Sequence, residues 1–478
     1  MNAFLSALND VVVAIDNVLA DYAITILLIA CGLFFTFRTR FVQIRCFGEG
    51  WKRLFGNFSM NGKKADKSGM SSFQALATAI AAQVGTGNIV GACGAILIGG
   101  PGAIFWMWII AFLGMATIYA EATLAQKTKK TDASGEVVGG PVYYIKEAFK
   151  GKFGKALAIF FSVAAILALG LMGAMVQSNS IGESMNSAFG IPAGVVGLMV
   201  TLLAALVFFG GSKRLASVTE KMVPIMAFIY IIGSLIIIAV RIKYIPETFG
   251  MIFKYAFQPN AIMGGGIGYA LKTAISQGAK RGLFSNEAGM GSTPHAHAVA
   301  KVKTPHEQGV VAMIGVFIDT FIVLTLTALV VISTMYAGHE GLSGVAGYEK
   351  TNLAQAAFSS VFGAKLGSAF VAICLLFFAF STILSWNYFG RLNMVSLFGN
   401  KKSACIIYNL MSLACVFVGS MLYNDLVWNL QDVFDLLIVI PNVIALFALS
   451  ALVAKEALRG KSDLTLPEEK EAKDKVVK

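Results

Sequence analysis

Charge is scarce in this chain. Only 13% of its 478 residues are Asp, Glu, Lys or Arg and 57% are hydrophobic, where a soluble domain carries about 25% charge. That composition excludes an ordinary soluble domain, and the recurring apolar runs of roughly 20 residues read as a polytopic membrane protein. The first 21 residues, "MNAFLSALNDVVVAIDNVLAD", contain no Lys or Arg. They lack the cationic start of a signal peptide and are expected to stay uncleaved. Cysteine is sparse too. Cys31, Cys93, Cys374 and Cys415 fall in apolar runs and Cys46 and Cys405 near loops, with no CxxC pair, so neither a disulfide framework nor a thiolate metal knuckle is expected. GxSxG and HExxH are absent, which removes the usual parts of an intramembrane hydrolase. "GTGNIVG" has GxGxxxG spacing without a preceding strand or a following acid, so it is no dinucleotide loop. His295 and His297 in "HAH" stand about 200° apart on a helix, poor geometry for one metal.

Eleven apolar spans are present, at about 17–37, 70–98, 102–125, 156–178, 191–210, 217–240, 262–299, 308–334, 366–389, 403–423 and 428–454. The formal net charge of +12 is concentrated in alternate connections, which makes it a topology signal and not a nucleic-acid surface. Connections on one side, including 38–69, 126–155 and the segment from 455, carry 30 Lys/Arg, against five on the other. The expectation is therefore an all-α integral membrane protein with its N-terminus outside and its C-terminus cytoplasmic, in a multi-pass cell-membrane location. Residues 352–365 are too polar to span and are expected as an outer surface helix. The charged tail 455–478 is expected to be disordered.

Two spans are interrupted. "QVGTGNIVG" (83–91) places Gln83, Thr86, Asn88 and three glycines inside the second. The seventh, 262–299, has 38 residues and would run roughly 57 Å as one helix, well past a hydrocarbon core of about 30 Å. Gly278, Gly282, Gly289 and Gly291, with Ser276, Ser285 and Asn286, mark where it could break. The interrupted spans lie five helices apart and run in opposite directions by the loop charges. That pattern reads as a five-plus-five inverted repeat over 70–240 and 262–454, with the first span (17–37) peripheral, and points to a secondary transporter's binding site. A break frees backbone groups that hydrocarbon cannot satisfy but a solute can. Gly85, Thr86, Gly87 and Asn88, together with Ser276, Gly278 and Asn286, are the candidates for contacting it. Small-residue helix packing is the alternative role for these glycines.

The stretches "AAQVGTGNIVGACGAI", "GGPGAIFWMWIIAFLGMATIYAEATLAQK" and "GLFSNEAGMGSTPHAHA" resemble the alanine or glycine:cation symporter family over almost the whole chain. The resemblance implies a leucine-transporter-type fold, sodium as the coupling ion without an organic cofactor, and a small neutral amino acid, alanine or glycine, as solute. It further implies that Gln83, Asn88, the backbone at Gly85–Asn88, Phe284, Thr382 and Trp386 line the pocket. Ser381 and Thr382 in the ninth span offer adjacent hydroxyls for a sodium site, unless each bonds back to its own helix.

Intramembrane carboxylates are costly and so are functional candidates. Asp319 is a candidate cation site, a partner for Lys280 or Arg281, or a proton carrier. Glu287 is placed to hold the unwound segment, and Glu121 and Asp435 are read as structural. The leading reading is sodium-coupled uptake by alternating access. Proton-coupled transport through Asp319, and a channel or receptor on the same helices, are the alternatives; no enzymatic constellation is found.

Overall fold

Helices occupy the apolar runs, because hydrocarbon offers an open backbone no partner. The computed structural model describes residues 10–15, 22–56, 69–131, 135–258, 267–338, 345, 347–422 and 424–458. The first half contains α1 (Thr25–Arg38), α2 (Phe47–Gly56), the bent pair α3 (Ser72–Gln83) and α4 (Ala92–Gly99), and α5 (Ala103–Thr128). Then come α6 (Gly151–Phe189), α7 (Ala193–Phe208), α8 (Gly211–Val240) and α9 (Ile245–Phe257). The second half contains α10 (Ile267–Asn286), α11 (Pro294–Ala298), α12 (Pro305–Met335), α13 (Lys350–Phe362), α14 (Ala364–Phe398), α15 (Lys402–Gly419), α16 (Asn424–Ala448) and α17 (Ser450–Ala457).

Among the described residues, seven helices are long and apolar enough to cross a membrane alone, namely α5, α6, α8, α12, α14, α15 and α16. The pair α3–α4, bent by 47°, makes an eighth, while Tyr22–Arg38 and α7 are apolar but shorter. Burial sorts these helices into layers. Every residue of α3 from Gln74 to Gln83 is buried, as is most of α5 and α12. By contrast α7 turns Leu198, Leu202 and Leu206 outward, and α15 turns Ile406, Ile407 and Leu410 outward, as lipid-facing walls do.

The start of α3 is well specified. Ser71 and Gln74 form a capping box, each side chain accepting the other's backbone N–H at 3.1 Å. Residues Met70–Ser71 pair in parallel with Ala300–Lys301, and Met70 N donates to Val299 O at 2.9 Å. The beginning of one interrupted segment is thereby fastened to the end of the other.

Several expectations need correction. α6 runs on to Phe189, past residue 178, the expected end of its span, because its polar side chains find partners there. Asn179 Nδ2 donates to Leu422 O at 2.7 Å, and Glu183 accepts from Thr351 and Asn424, each at 2.7 Å. α10 is unbroken through Gly278 and Gly282, and the interruption falls after Asn286. Helix continues to Ala457, where Glu456 pairs with Lys127 at 2.7 Å, so the tail departs later than 455; residues 459–478 lie outside the described residues, as do 17–21 and 262–266 of the expected spans.

The expected surface helix is α13, and it is not loosely attached. Leu353, Ala354, Ala357 and Phe358 are buried, and Phe358 lies against Phe370 of α14 and Tyr230 of α8 with ring centroids 5.2 and 5.9 Å away. Phe358→Ala should therefore cost about 3–5 kcal/mol, whereas Lys365→Ala at an exposed position should change stability by less than about 0.5 kcal/mol. Thermal unfolding of both purified variants in detergent measures the contrast; equal melting temperatures would contradict the packing.

Candidate functional site

The first interruption begins where α3 stops at Gln83. Its freed donors are captured by side chains: Gly85 N donates to Asn88 Oδ1 at 3.1 Å, and Thr86 N to Gln177 Oε1 of α6 at 3.1 Å. The chain resumes as a wider π-helical turn at Gly87–Gly91, of a kind that often accompanies functional sites. The glycines here permit close approach. A Cβ on Gly85 would strike Thr382 Oγ1 of α14, and one on Gly87 would lie 2.9 Å from Ser285 Cα. The first interruption thus touches the last turn of α10, just ahead of the second.

The second interruption spans residues 287–293 and relies on left-handed backbone at Glu287 (φ 58°), Gly289 (φ 102°) and Gly291 (φ 75°). Glu121 of α5 holds it open: its carboxylate accepts from Gly289 N at 3.1 Å and Gly291 N at 2.9 Å. Asn442 of α16 donates to Glu121 Oε1 at 2.6 Å and to Gly289 O at 2.9 Å, and accepts from Tyr144. Glu287 accepts from Trp386 Nε1 at 2.7 Å and from Ser292 Oγ, which fastens α14 to the interruption.

Asp319, in a second π-helical turn (Phe317–Leu324) within α12, joins both segments. Asn88 Nδ2 donates to its Oδ1 at 2.6 Å and its carbonyl at 3.1 Å, while Ser285 Oγ and Thr320 Oγ1 donate to Oδ2 at 2.8 and 2.9 Å. Gln83 Nε2 donates to Asn286 O at 2.7 Å, and Asn286 Nδ2 reaches Thr320 Oγ1 at 3.3 Å. Thr382 Oγ1 stands 3.1, 3.0 and 3.2 Å from the carbonyl oxygens of Ala81, Ala82 and Phe378. One hydroxyl proton can serve only one of these at a time, so the cluster presents a surplus of hard oxygen atoms.

Aromatic rings close one side. Phe284 meets Trp386 edge-on at 5.6 Å and Trp428 at 4.8 Å. Beyond them Arg281 makes a bidentate pair with Asp432 at 2.9 and 2.8 Å, with Lys280 at 3.7 Å from the same carboxylate. The Arg281 guanidinium also stacks over Trp428 at 4.9 Å.

Of the residues expected from sequence, Gln83, Gly85, Thr86, Gly87, Asn88, Phe284, Asn286, Thr382 and Trp386 converge here with Asp319. Gly278 does not: a Cβ on it would lie 2.5 Å from Trp106 Cβ, so its bareness serves α5–α10 packing. Ser276 lies beside Tyr22, Thr25 and Ile26, on the side of α10 facing the first apolar segment. Ser381 Oγ bonds back to Phe378 O at 2.8 Å and faces Met226 Sδ at 3.6 Å, away from the α3 carbonyls. Lys280 and Arg281 pair with Asp432, not with Asp319. Sequence reasoning missed Gln177, Thr320, Asp432 and Asn442; each is polar within an apolar helix, which was the available signal.

Buried polar atoms here remain unmatched. Among the described residues, Gln83 Oε1, Thr86 Oγ1, Ser385 Oγ and Trp428 Nε1 are buried without a hydrogen-bond partner. Native interiors leave few such atoms without a reason, a ligand being one.

Long apolar helices around two neighbouring interruptions define a helical membrane transporter. The chain matches the model of the sodium:alanine symporter family over residues 5–473 and belongs to that family. It is 40% identical over 432 residues to the sodium/alanine symporter AgcS of Methanococcus maripaludis, covering 90% of this chain and 92% of that protein. It is also 40% identical over 463 residues to the putative sodium/proton-dependent alanine carrier protein YrbD of Bacillus subtilis, covering 95% and 92%. In fold it is similar to MhsT, crystallised with L-phenylalanine, at a TM-score of 0.56 and 15% identity over 83% of this chain and all of that one. Membership makes it a multi-pass cell-membrane protein of amino-acid symport and not an enzyme.

Glu121→Gln replaces an acceptor of two backbone N–H groups with a side chain that is half donor. It should cost about 1.5–3 kcal/mol, the worth of hydrogen bonds to a charged group. A lowered melting temperature in detergent checks this; an unchanged one would mean that Glu121 does not hold the second interruption.

Proposed function

We propose that the chain carries a small neutral amino acid, alanine or glycine, into the cell together with sodium by alternating access. The observation that carries this reading is the contact of the first interruption, at Gly87, with Ser285 at the end of α10 just ahead of the second, with Thr86 Oγ1 and Gln83 Oε1 buried and unmatched beside it. The solute carboxylate would meet N–H donors where helix resumes at Gly87, the positive end of a half-helix dipole. Its ammonium would meet carbonyl and side-chain oxygens of the two segments. Phe284 and Trp386 would wall the remaining space, and the close approach of Gly85 to Thr382 favours a side chain no larger than a methyl.

Thr382 Oγ1 with the carbonyls of Ala81, Ala82 and Phe378 supports a sodium site made of neutral oxygens. Asp319 supports a second cation position, with the Ser285 and Thr320 hydroxyls already turned toward its carboxylate. Bound sodium would favour the solute-binding arrangement, and that differential affinity couples the gradient to uptake. The reading includes eleven membrane crossings, the N-terminus outside, the C-terminus cytoplasmic, and an inverted repeat of five plus five helices. The Arg281–Asp432 pair closing one side and the Glu121–Asn442 network at the other support an exchange between two openings.

A second reading keeps the solute and exchanges the ion: Asp319, the buried carboxylate joining both segments, would carry a proton. The Bacillus relative's description as sodium/proton-dependent favours keeping it. Uptake of labelled alanine into proteoliposomes, with sodium and proton gradients imposed separately, decides between them. Sodium-driven accumulation is expected, and accumulation that follows protons but ignores sodium would overturn the sodium mechanism. Asn88→Ala and Thr382→Ala should each raise the half-saturating alanine or sodium concentration about tenfold, the equivalent of one lost interaction of about 1.4 kcal/mol. Wild-type behaviour of both at normal expression would displace the pocket.

A further inference from the structure

A different cluster lies away from the solute site, where α2 crosses the start of α12. Cys46, just before α2, Glu49 within it and His306 of α12 place one ligand atom each within 4.8 Å of one another. His306 is about 20 Å along its helix from Asp319, by the 1.5 Å rise per residue. We propose that Cys46, Glu49 and His306 form a binding site for a thiophilic divalent cation of the zinc class, which ties α2 to α12.

The geometry is close to what such an ion requires. His306 Nε2 and Glu49 Oε2 are 3.4 Å apart, and two ligands on tetrahedral arms of about 2.0–2.1 Å stand about 3.3–3.4 Å apart. Cys46 stands immediately ahead of α2 and Glu49 lies in its first turn, so one end of that helix presents both. The neighbours orient the ligands. His306 Nδ1 lies 2.7 Å from the Tyr119 hydroxyl; with the proton on Nδ1 donated to that hydroxyl, Nε2 presents its lone pair to the cluster, as in oriented metal histidines. Arg53 Nε holds Glu49 Oε1 at 2.8 Å and leaves Oε2 directed at the imidazole. The Arg45 guanidinium is occupied elsewhere, donating to Ala457 O at 2.6 Å and Thr39 O at 3.3 Å.

Chemistry selects the ion. A thiolate, an imidazole and a carboxylate suit zinc, whereas an ion bound by oxygen alone gains little from the sulfur. On binding, the Cys46 thiol releases its proton, and thiolate plus carboxylate balance the ion's two charges, so the loaded site is neutral. Cys46 and His306 are buried, but the Glu49 side chain is 28% exposed and gives access, leaving a fourth position for water.

The test uses the purified, tag-free, full-length protein in detergent, stripped of metal and titrated with Zn²⁺ and Co²⁺. One equivalent of zinc bound at micromolar free ion is expected, with a rise in melting temperature. Cobalt should give a thiolate-to-metal charge-transfer band. Cys46→Ser should abolish that band, and Cys46→Ser and His306→Gln should weaken zinc binding by about tenfold or more. Glu49→Gln, at a partly exposed position, provides the same comparison should a buried variant fail to fold. No zinc uptake by the wild type, or a cobalt band that survives in Cys46→Ser, would overturn the assignment.

Discussion

The carboxylate of Asp319 is the interaction on which the arrangement of the two interrupted segments depends. Breaking a helix at membrane depth frees N–H and C=O groups that lipid cannot satisfy. This chain meets that demand by bringing side chains from distant helices to the breaks. Asp319 collects Asn88, Ser285 and Thr320, and Asn88 in turn accepts from Gly85 N, so one buried acid aligns the first interruption, the end of α10 and the π-helical turn of α12. Glu121 does the corresponding work for the second interruption through Gly289 and Gly291. Removing either acid would leave several donors facing a low-dielectric interior, where an unmatched group is expensive.

This economy couples the parts of the proposed transport site. The amide of Asn88 faces Gly85 N with its oxygen and Asp319 with its nitrogen. A cation drawn to Asp319 would change what Asn88 can donate to, and so the placement of the backbone at Gly85. Glu287 links Trp386 to the second interruption in the same manner, which fastens the aromatic wall to the unwound segment. Coupling of ion to solute needs only such shared groups with two arrangements of different ion affinity.

Legibility in the sequence differed between the two interruptions for a physical reason. In the second span, polar residues and glycines coincide within a few positions of an otherwise apolar run, and α3 does stop at Gln83. In the seventh, glycines extend from 278 to 291, and hydropathy cannot tell a glycine that ends a helix from one that admits a neighbour. Gly278 proved to admit Trp106, while Gly289 and Gly291 carry the left-handed backbone. Ser381 and Thr382 show the same limit: adjacent hydroxyls on one helix point about 100° apart, and only Thr382 reaches the α3 carbonyls.

By itself the sequence determined the class of protein, the apolar runs that its long helices occupy and the asymmetry of charge between its alternate connections. These follow from transfer free energies summed over many residues, which survive local error. It also marked the residue types able to satisfy a broken helix. Which of them meet was decided only by the tertiary structure: Asp319 with Asn88 and not with Arg281, Glu121 with Gly289 and Gly291, Thr382 with Ala81 and Ala82. Those pairings join residues up to 301 positions apart. A hydrogen bond is specific to tenths of an ångström, so it depends on how the helices pack and not on any local pattern.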